Sequence, residues 1–227
     1  MFINLFNKTV TAMGYKLVAF DMDGVLVKEG SWRIIHEYFG TLELSQKNLL
    51  AYTRGDISYR EFMERDIGAW LRKNGRVHAS EIIGVLKHFT ITENAEYVID
   101  RLKRKGYNVA LVSGGIDIVA REVARMLGIP YVLANTLRFD EDGYLVGGIA
   151  RVDPLKKHKA MENLLFELGI DKNETVAVGD SIYDLTFLLD CGLGIAYNPD
   201  EELMNAIRKG YYGIKVVDDL LGILDYV

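Results

Sequence analysis

Short apolar, β-prone runs recur along the chain, and each gives way to a polar or turn residue. Residues 16–20 run into Asp21, residues 108–112 into Ser113, and residues 175–178 into Gly179 and Asp180. Residues 193–196 and 213–217 form two further runs. Between them the apolar positions switch to helical spacing over 95–105, 117–127, 156–168, 182–189 and 201–208. Strands without polar alternation are buried on both faces, and strands alternating with helices predict a doubly wound, Rossmann-like α/β fold with a parallel sheet. Residues 131–135 read as a short strand, and 136–139 with 144–149 as a β-hairpin closed around Glu141-Asp142-Gly143.

The stretch from Ser31 to Phe89 offers helical periodicity only, over 32–39, 44–52, 59–71 and 80–89. Gly40, Gly55 and Asn74-Gly75 punctuate it, and Ser58 and Ser80 stand where N-caps belong. The expected organisation is an α/β core of residues 13–29 and 90–227, a small inserted helical cap of residues 30–89, and an N-terminal extension of residues 1–12. That extension lacks the long apolar centre and small-residue cleavage site of a signal peptide.

Charge and composition narrow the partners. With 27 Lys and Arg against 32 Asp and Glu, the net charge of −5 leaves no broad basic surface for a nucleic-acid backbone. No apolar run approaches the roughly 20 residues that span a bilayer. A single cysteine, Cys191, excludes an internal disulfide and a cysteine-rich zinc site, and predicts a reducing, cytoplasmic setting. Cys191 itself reads as a small buried apolar residue. His36, His78, His88 and His158 lack metal-ligand spacing and read as surface or hydrogen-bonded polar groups.

In an open parallel sheet, ligands bind beyond the carboxyl ends of the strands, and there the sequence puts Asp21, Asp23, Ser113, Asp180 and Asp184. Asp21 and Asp23 face the same way, because alternate residues of an extended chain share a side. One aspartate at a strand end is usually a cap. Four converging carboxylates repel one another and predict a bound cation, and an all-oxygen donor set selects Mg²⁺ over zinc.

Together these residues resemble the haloacid dehalogenase superfamily of aspartate-nucleophile phosphatases, and most closely its phosphoserine-phosphatase-like subgroup. The matching segments are Asp21-Met22-Asp23-Gly24-Val25, Ser113-Gly114-Gly115, a lysine before the third strand, and Gly179-Asp180-Ser181-Ile182-Tyr183-Asp184. The resemblance implies a Mg²⁺-dependent phosphomonoesterase acting on a small phosphorylated metabolite. Asp21 would be the nucleophile that forms an aspartyl-phosphate, and Asp23 the general acid and base. It implies metal ligation by Asp21, the backbone carbonyl of Asp23, and Asp180. Ser113, the N–H of Gly114 and a lysine would hold the phosphate, and Asp184 would orient that lysine or a metal-bound water. The family register puts the lysine at Lys157, with Lys156 next.

Departures from the subgroup make phosphoserine itself a doubtful substrate. The acidic residue expected nine positions after the nucleophile reads Gly30, with Glu29 beside it; the expected cap arginine reads Asp66, with Arg65 beside it. Tyr183 replaces the usual asparagine. Glu29, Arg65 and Trp32, the last close enough to the linker to roof the site, are the expected specificity residues. The other cap aromatics, Tyr38, Phe39, Trp70 and Phe89, read as cap core. A phosphosugar mutase of the same superfamily is the nearest competing activity, and a phosphoacceptor signalling domain the competing class. The sixty-residue insert and the second aspartate of the Asp-x-Asp pair argue against the latter.

Overall fold

The apolar run at 16–20 forms β1 (Leu17–Phe20), whose four side chains are all buried. In the computed structural model, which describes residues 14–210 and 213–227, β1 is the centre of a seven-stranded sheet. It pairs in parallel with β2 (Asn108–Ile116) on one side and β5 (Thr175–Gly179) on the other. Beyond β2 lies β3 (Tyr131–Phe139), parallel, and then β4 (Leu145–Ile149), the one antiparallel strand. Beyond β5 lie β6 (Leu193–Tyr197) and β7 (Lys215–Val217), both parallel.

Period-two alternation splits the strand side chains between two apolar clusters. Val18, Phe20, Leu111 and Val178 face one, and Leu17, Ala19, Val112 and Ala177 the other. Helices α5 (Ala95–Arg104) and α6 (Asp117–Leu127) cover the first face, with Val98, Leu102, Val119 and Val123 in its cluster. The second face carries α7 (Lys157–Leu168), α8 (Leu185–Leu189) and α9 (Glu201–Gly210). The doubly wound α/β fold read from the sequence is the fold observed. No described helix is long and apolar enough to cross a membrane.

The inserted cap comprises α1 (Ser31–Tyr38), α2 (Leu42–Thr53), α3 (Tyr59–Asn74) and α4 (Ala79–Leu86). Ser58 caps α3 by accepting from Glu61 N, as its position predicts. Ser80 is not a cap: α4 starts one residue earlier, and the His78 ring accepts from Ser80 N instead. The apolar residues of the cap, among them Ile35, Phe62 and Trp70, join the same cluster as Phe20 and Leu111. Cap and sheet thus share one core.

Other elements also differ from their sequence reading; the helix read over 182–189 is a 3-10 turn, Ile182–Asp184, followed by α8. β2 continues through Ser113-Gly114-Gly115 to Ile116, with a register shift after Val112. Residues 131–139 are one strand, because the chain passes from the parallel pairing with β2 into the antiparallel pairing with β4 without a break. A 3-10 turn, Pro154–Lys156, precedes α7, so Lys157 rather than Lys156 opens that helix. The N-terminal extension of residues 1–12 lies outside the described residues.

Candidate active site

The sheet itself positions Asp21. Its N–H donates to Val178 O of β5 at 2.8 Å, and the chain then turns at once, with Leu26 N and Val27 N both donating to Met22 O. Gly24 makes this possible with φ +85°, where a side chain is strained. A Cβ at Gly24 would also collide with the Asp180 carboxylate, so that group occupies space only glycine leaves.

Lys157 joins the two ends of the site. Its ammonium lies 2.7 Å from Asp21 Oδ1 and 2.6 Å from Asp184 Oδ1, and all three side chains are buried. The second oxygen of Asp184 accepts from the N–H groups of Asp180 and Ser181 and from Ser181 Oγ, each at 3.2 Å. Asp184 therefore orients both the lysine and the loop that carries Asp180. Lys156 is exposed and lies 3.5 Å from Asp153.

Asp23 is held from the cap. Ser31, the first residue of α1, donates to Asp23 Oδ2 through its N–H at 3.0 Å and its hydroxyl at 2.9 Å, while its Oγ accepts from Ile116 N at 3.1 Å. Asp23 Oδ1 is buried and has no hydrogen-bond partner among the described residues. With one oxygen pinned and the other free, the carboxyl presents a single defined atom for proton transfer. Sequence reasoning missed Ser31, although its place at the head of the first cap helix marks it as a residue that meets the turn after β1.

Burial raises the Asp23 pKa to about 6, against the two bonds from Ser31 that lower it. Burial likewise lifts Asp21 to about 7, with Lys157 opposing and Asp184 adding to the rise. Asp180 is pushed up to about 8 by burial and by the nearby charges of Asp21 and Asp184. For Lys157, burial works against the charge, but Asp184 and Asp21 overrule it and hold the ammonium firmly protonated. One lysine cannot neutralise three carboxylates. Oxygen atoms of Asp21, Asp180 and Asp184 lie within 4.8 Å of one another. This all-oxygen set, crowded enough to retain protons near neutrality, fits a hard divalent cation such as Mg²⁺. The carboxylate of Asp23 stands outside this set.

Asp21, Asp23, Lys157 and Asp180 line a cavity of about 640 Å³ between sheet and cap, together with Ser113, Gly114, Trp32, Phe62 and Tyr183. A cleft of about 790 Å³ near Tyr52 and Asp153 is lined by none of the strand-end carboxylates. Two expected specificity residues do not reach the cavity. Glu29 turns away to accept from Thr90 N at 2.7 Å and Thr90 Oγ1 at 2.8 Å, and Arg65 pairs with Glu61 at 2.7 Å on the exposed face of α3. Asp66 is sealed inside the cap, where it accepts from Asn48 Nδ2 at 2.6 Å and lies 3.1 Å from His36 Nε2. Trp70 Nε1–H can only donate and points at His36 Nδ1, so the ring proton sits on the nitrogen facing Asp66. Lys28 and Arg33 are the cationic side chains that the cap linker and α1 bring to the cavity wall. Cys191 is only partly buried, and desolvation lifts its thiol to about 12.

The pairing of an Asp-x-Asp turn, a serine, a buried lysine and an acidic loop on successive strands has a counterpart among known families. A model of haloacid dehalogenase-like hydrolases matches residues 15–192. The chain belongs to this family. Among its relatives is the phosphoserine phosphatase of Methanocaldococcus jannaschii, 33% identical over 80% of this chain and 85% of that protein. A probable phosphoserine phosphatase of Schizosaccharomyces pombe is 31% identical over 86% of this chain and 65% of its own length. In three dimensions the chain resembles a phospho-aspartyl intermediate analogue of phosphoserine phosphatase, with a TM-score of 0.77 at 29% identity, covering 94% of this chain and 99% of that one. As a haloacid dehalogenase-like hydrolase, the protein is an enzyme, and its inserted helices correspond to the helical cap of that fold.

Proposed function

We propose that the enzyme hydrolyses the phosphomonoester of a small metabolite through an aspartyl-phosphate on Asp21. The observation that carries this reading is the convergence of Asp21 with Lys157 and Asp180 at the end of β1, beneath an Asp23 with one free oxygen. Asp21 Oδ2, the oxygen not bonded to Lys157, attacks phosphorus, and the ester oxygen leaves with a proton from Asp23 Oδ1. Asp23, now ionised, takes a proton from the water that cleaves the aspartyl-phosphate. Its pKa of about 6 suits both transfers near neutrality. Lys157 and Ser113 hold phosphate oxygens, and Asp184 keeps Lys157 aimed. Mg²⁺ held by Asp21, Asp180 and the Asp23 carbonyl would neutralise the charge on the phosphate.

Phosphoserine is the first substrate to test, since the relatives at 33% and 31% identity bear that name. This reverses the weight of the sequence reading. The departure at Asp66 bears less on the substrate, because Asp66 is buried inside the cap and does not line the cavity. Lys28 in the cavity wall is a cation suited to a carboxylate, whereas Arg33 is paired with Glu37 at 2.7 Å and Gly30 gives the ammonium no acidic partner. Phosphate release should be measured with Mg²⁺ on phosphoserine, glycerol phosphate and a hexose phosphate, with p-nitrophenyl phosphate as control. Multiple turnover with net phosphate release supports the reading. Sugar-phosphate isomerisation without release, or a single stable phosphorylation, would replace it with a mutase or a phosphoacceptor.

A further inference from the structure

The Ser113-Gly114-Gly115 segment near the end of β2 has no side chain in its middle to hold it. A Cβ on Gly114 would meet Pro154 Cγ at 2.5 Å, and one on Gly115 would meet Ser31 Oγ at 2.6 Å and Met22 Cε at 2.8 Å. Packing therefore demands glycine at both positions, and two successive glycines form the least restrained backbone a chain can have. Its orientation must come from hydrogen bonds.

Three donors converge on the Gly114 carbonyl. Asn135 Nδ2 of β3 reaches it at 2.8 Å, Trp32 Nε1 of α1 at 3.0 Å and the Tyr59 hydroxyl of α3 at 3.0 Å. Asn135 is itself oriented, since its Oδ1 accepts from Arg151 N and Val152 N, and it also donates to the Tyr59 oxygen at 2.7 Å. Because the peptide is planar and trans, fixing this C=O points the Gly115 N–H the opposite way. There it donates to Ser113 Oγ at 2.9 Å. With that interaction on its oxygen, the Ser113 hydroxyl keeps its own proton free to donate into the cavity it lines.

We infer that Trp32 and Tyr59 of the cap are positioning residues, which set the Ser113 hydroxyl for phosphate by pinning the Gly114–Gly115 peptide. Two separate cap helices supply these donors, so the phosphate grip is complete only when the cap is seated on the sheet. The inference rests on the phosphate-binding role proposed for Ser113.

The test is a double-mutant cycle on p-nitrophenyl phosphate, with inhibition by inorganic phosphate as a second readout. Tyr59→Phe and Trp32→Phe each keep an aromatic ring and remove one donor. In the otherwise unaltered enzyme, the pair should lower kcat/KM roughly tenfold and weaken phosphate inhibition by a similar factor. In a Ser113→Ala background the same pair should change either quantity less than about twofold, because the group they position is gone. Equal losses in both backgrounds would overturn the inference and leave the proposed hydrolysis standing. A Ser113→Ala enzyme as active as the unaltered one would remove the role of Ser113, and the inference with it. Should the pair fold poorly, Trp32→Phe alone in both backgrounds gives the same discrimination.

Discussion

At the carboxyl edge of the sheet, Asp21, Ser113 and Asp180 each follow a run of buried strand residues, whose main-chain pairing fixes where the chain leaves the sheet. In the cap over that edge, Ser31, Tyr59 and Asp66 sit on helices whose placement depends on side-chain contacts with other elements. A strand residue has its direction fixed by the pleat and its height by neighbouring strands. A helix residue shifts by about 100° per position, so a neighbour in sequence faces a different partner. Asp66 and Arg65 show the consequence: one is sealed in the cap interior and the other pairs with Glu61 in solvent. The proposed chemistry therefore resides on the sheet edge, and the cap reaches it through a few donors.

That contrast is broken most severely at its centre. Asp21→Asn should lower turnover by roughly 10³-fold or more, because the nucleophile itself is removed, while circular dichroism shows an unchanged fold. Survival of turnover in Mg²⁺ would take Asp21 out of the chemistry. Lys157→Met leaves Asp21 and Asp184 facing each other without a counter-charge. Urea unfolding should then show a loss of about 3–5 kcal/mol, the usual cost of breaking a buried pair from one side, along with lost activity. A Lys157→Met protein of unaltered stability would contradict the buried geometry.

A third test reads the same charges through pH. The carboxyls of Asp21 and Asp180 rise from 3.8 to about 7 and about 8 in the folded protein. Between those values the folded state binds more protons than the unfolded one, so stability without metal should fall as pH rises from about 4 to about 8. Thermal unfolding without metal should show that decline, and added Mg²⁺ should raise Tm more at pH 8 than at pH 5.5. A Tm gain independent of pH would dissociate the acidic cluster from metal binding. The smallest effect belongs to Arg65→Ala, which removes an exposed partner of Glu61 and should alter kcat/KM less than about twofold on any substrate. A larger loss confined to phosphoserine would return Arg65 to the substrate site.

The difference between the two regions also explains what could be read in advance. Continuous apolar runs ending in Asp21, Ser113 and Asp180 identify strands and site together, because burial and chemistry are adjacent in sequence. Among Lys156, Lys157 and Lys159 the residues alone leave the choice open; the family register, counted back from the next strand, points to Lys157, and the 3-10 turn at Pro154 makes it the first residue of its helix. The roles of Ser31, Tyr59 and Asn135 arise from contacts over separations of 8 to 85 residues. No local pattern encodes such contacts. Glu29 turns from the cavity for a similar reason: Thr90, 61 positions away, offers it both a backbone and a hydroxyl donor.

The proposed hydrolysis stands or falls on the passage of phosphorus through Asp21. The direct measurement is acid quenching of the enzyme during turnover with ³²P-labelled substrate and Mg²⁺, followed by peptide mapping. The account predicts a base-labile phosphoryl group on the peptide that contains Asp21, absent from Asp21→Asn. Sustained phosphate release with no label on the protein, or label on another residue, would contradict it.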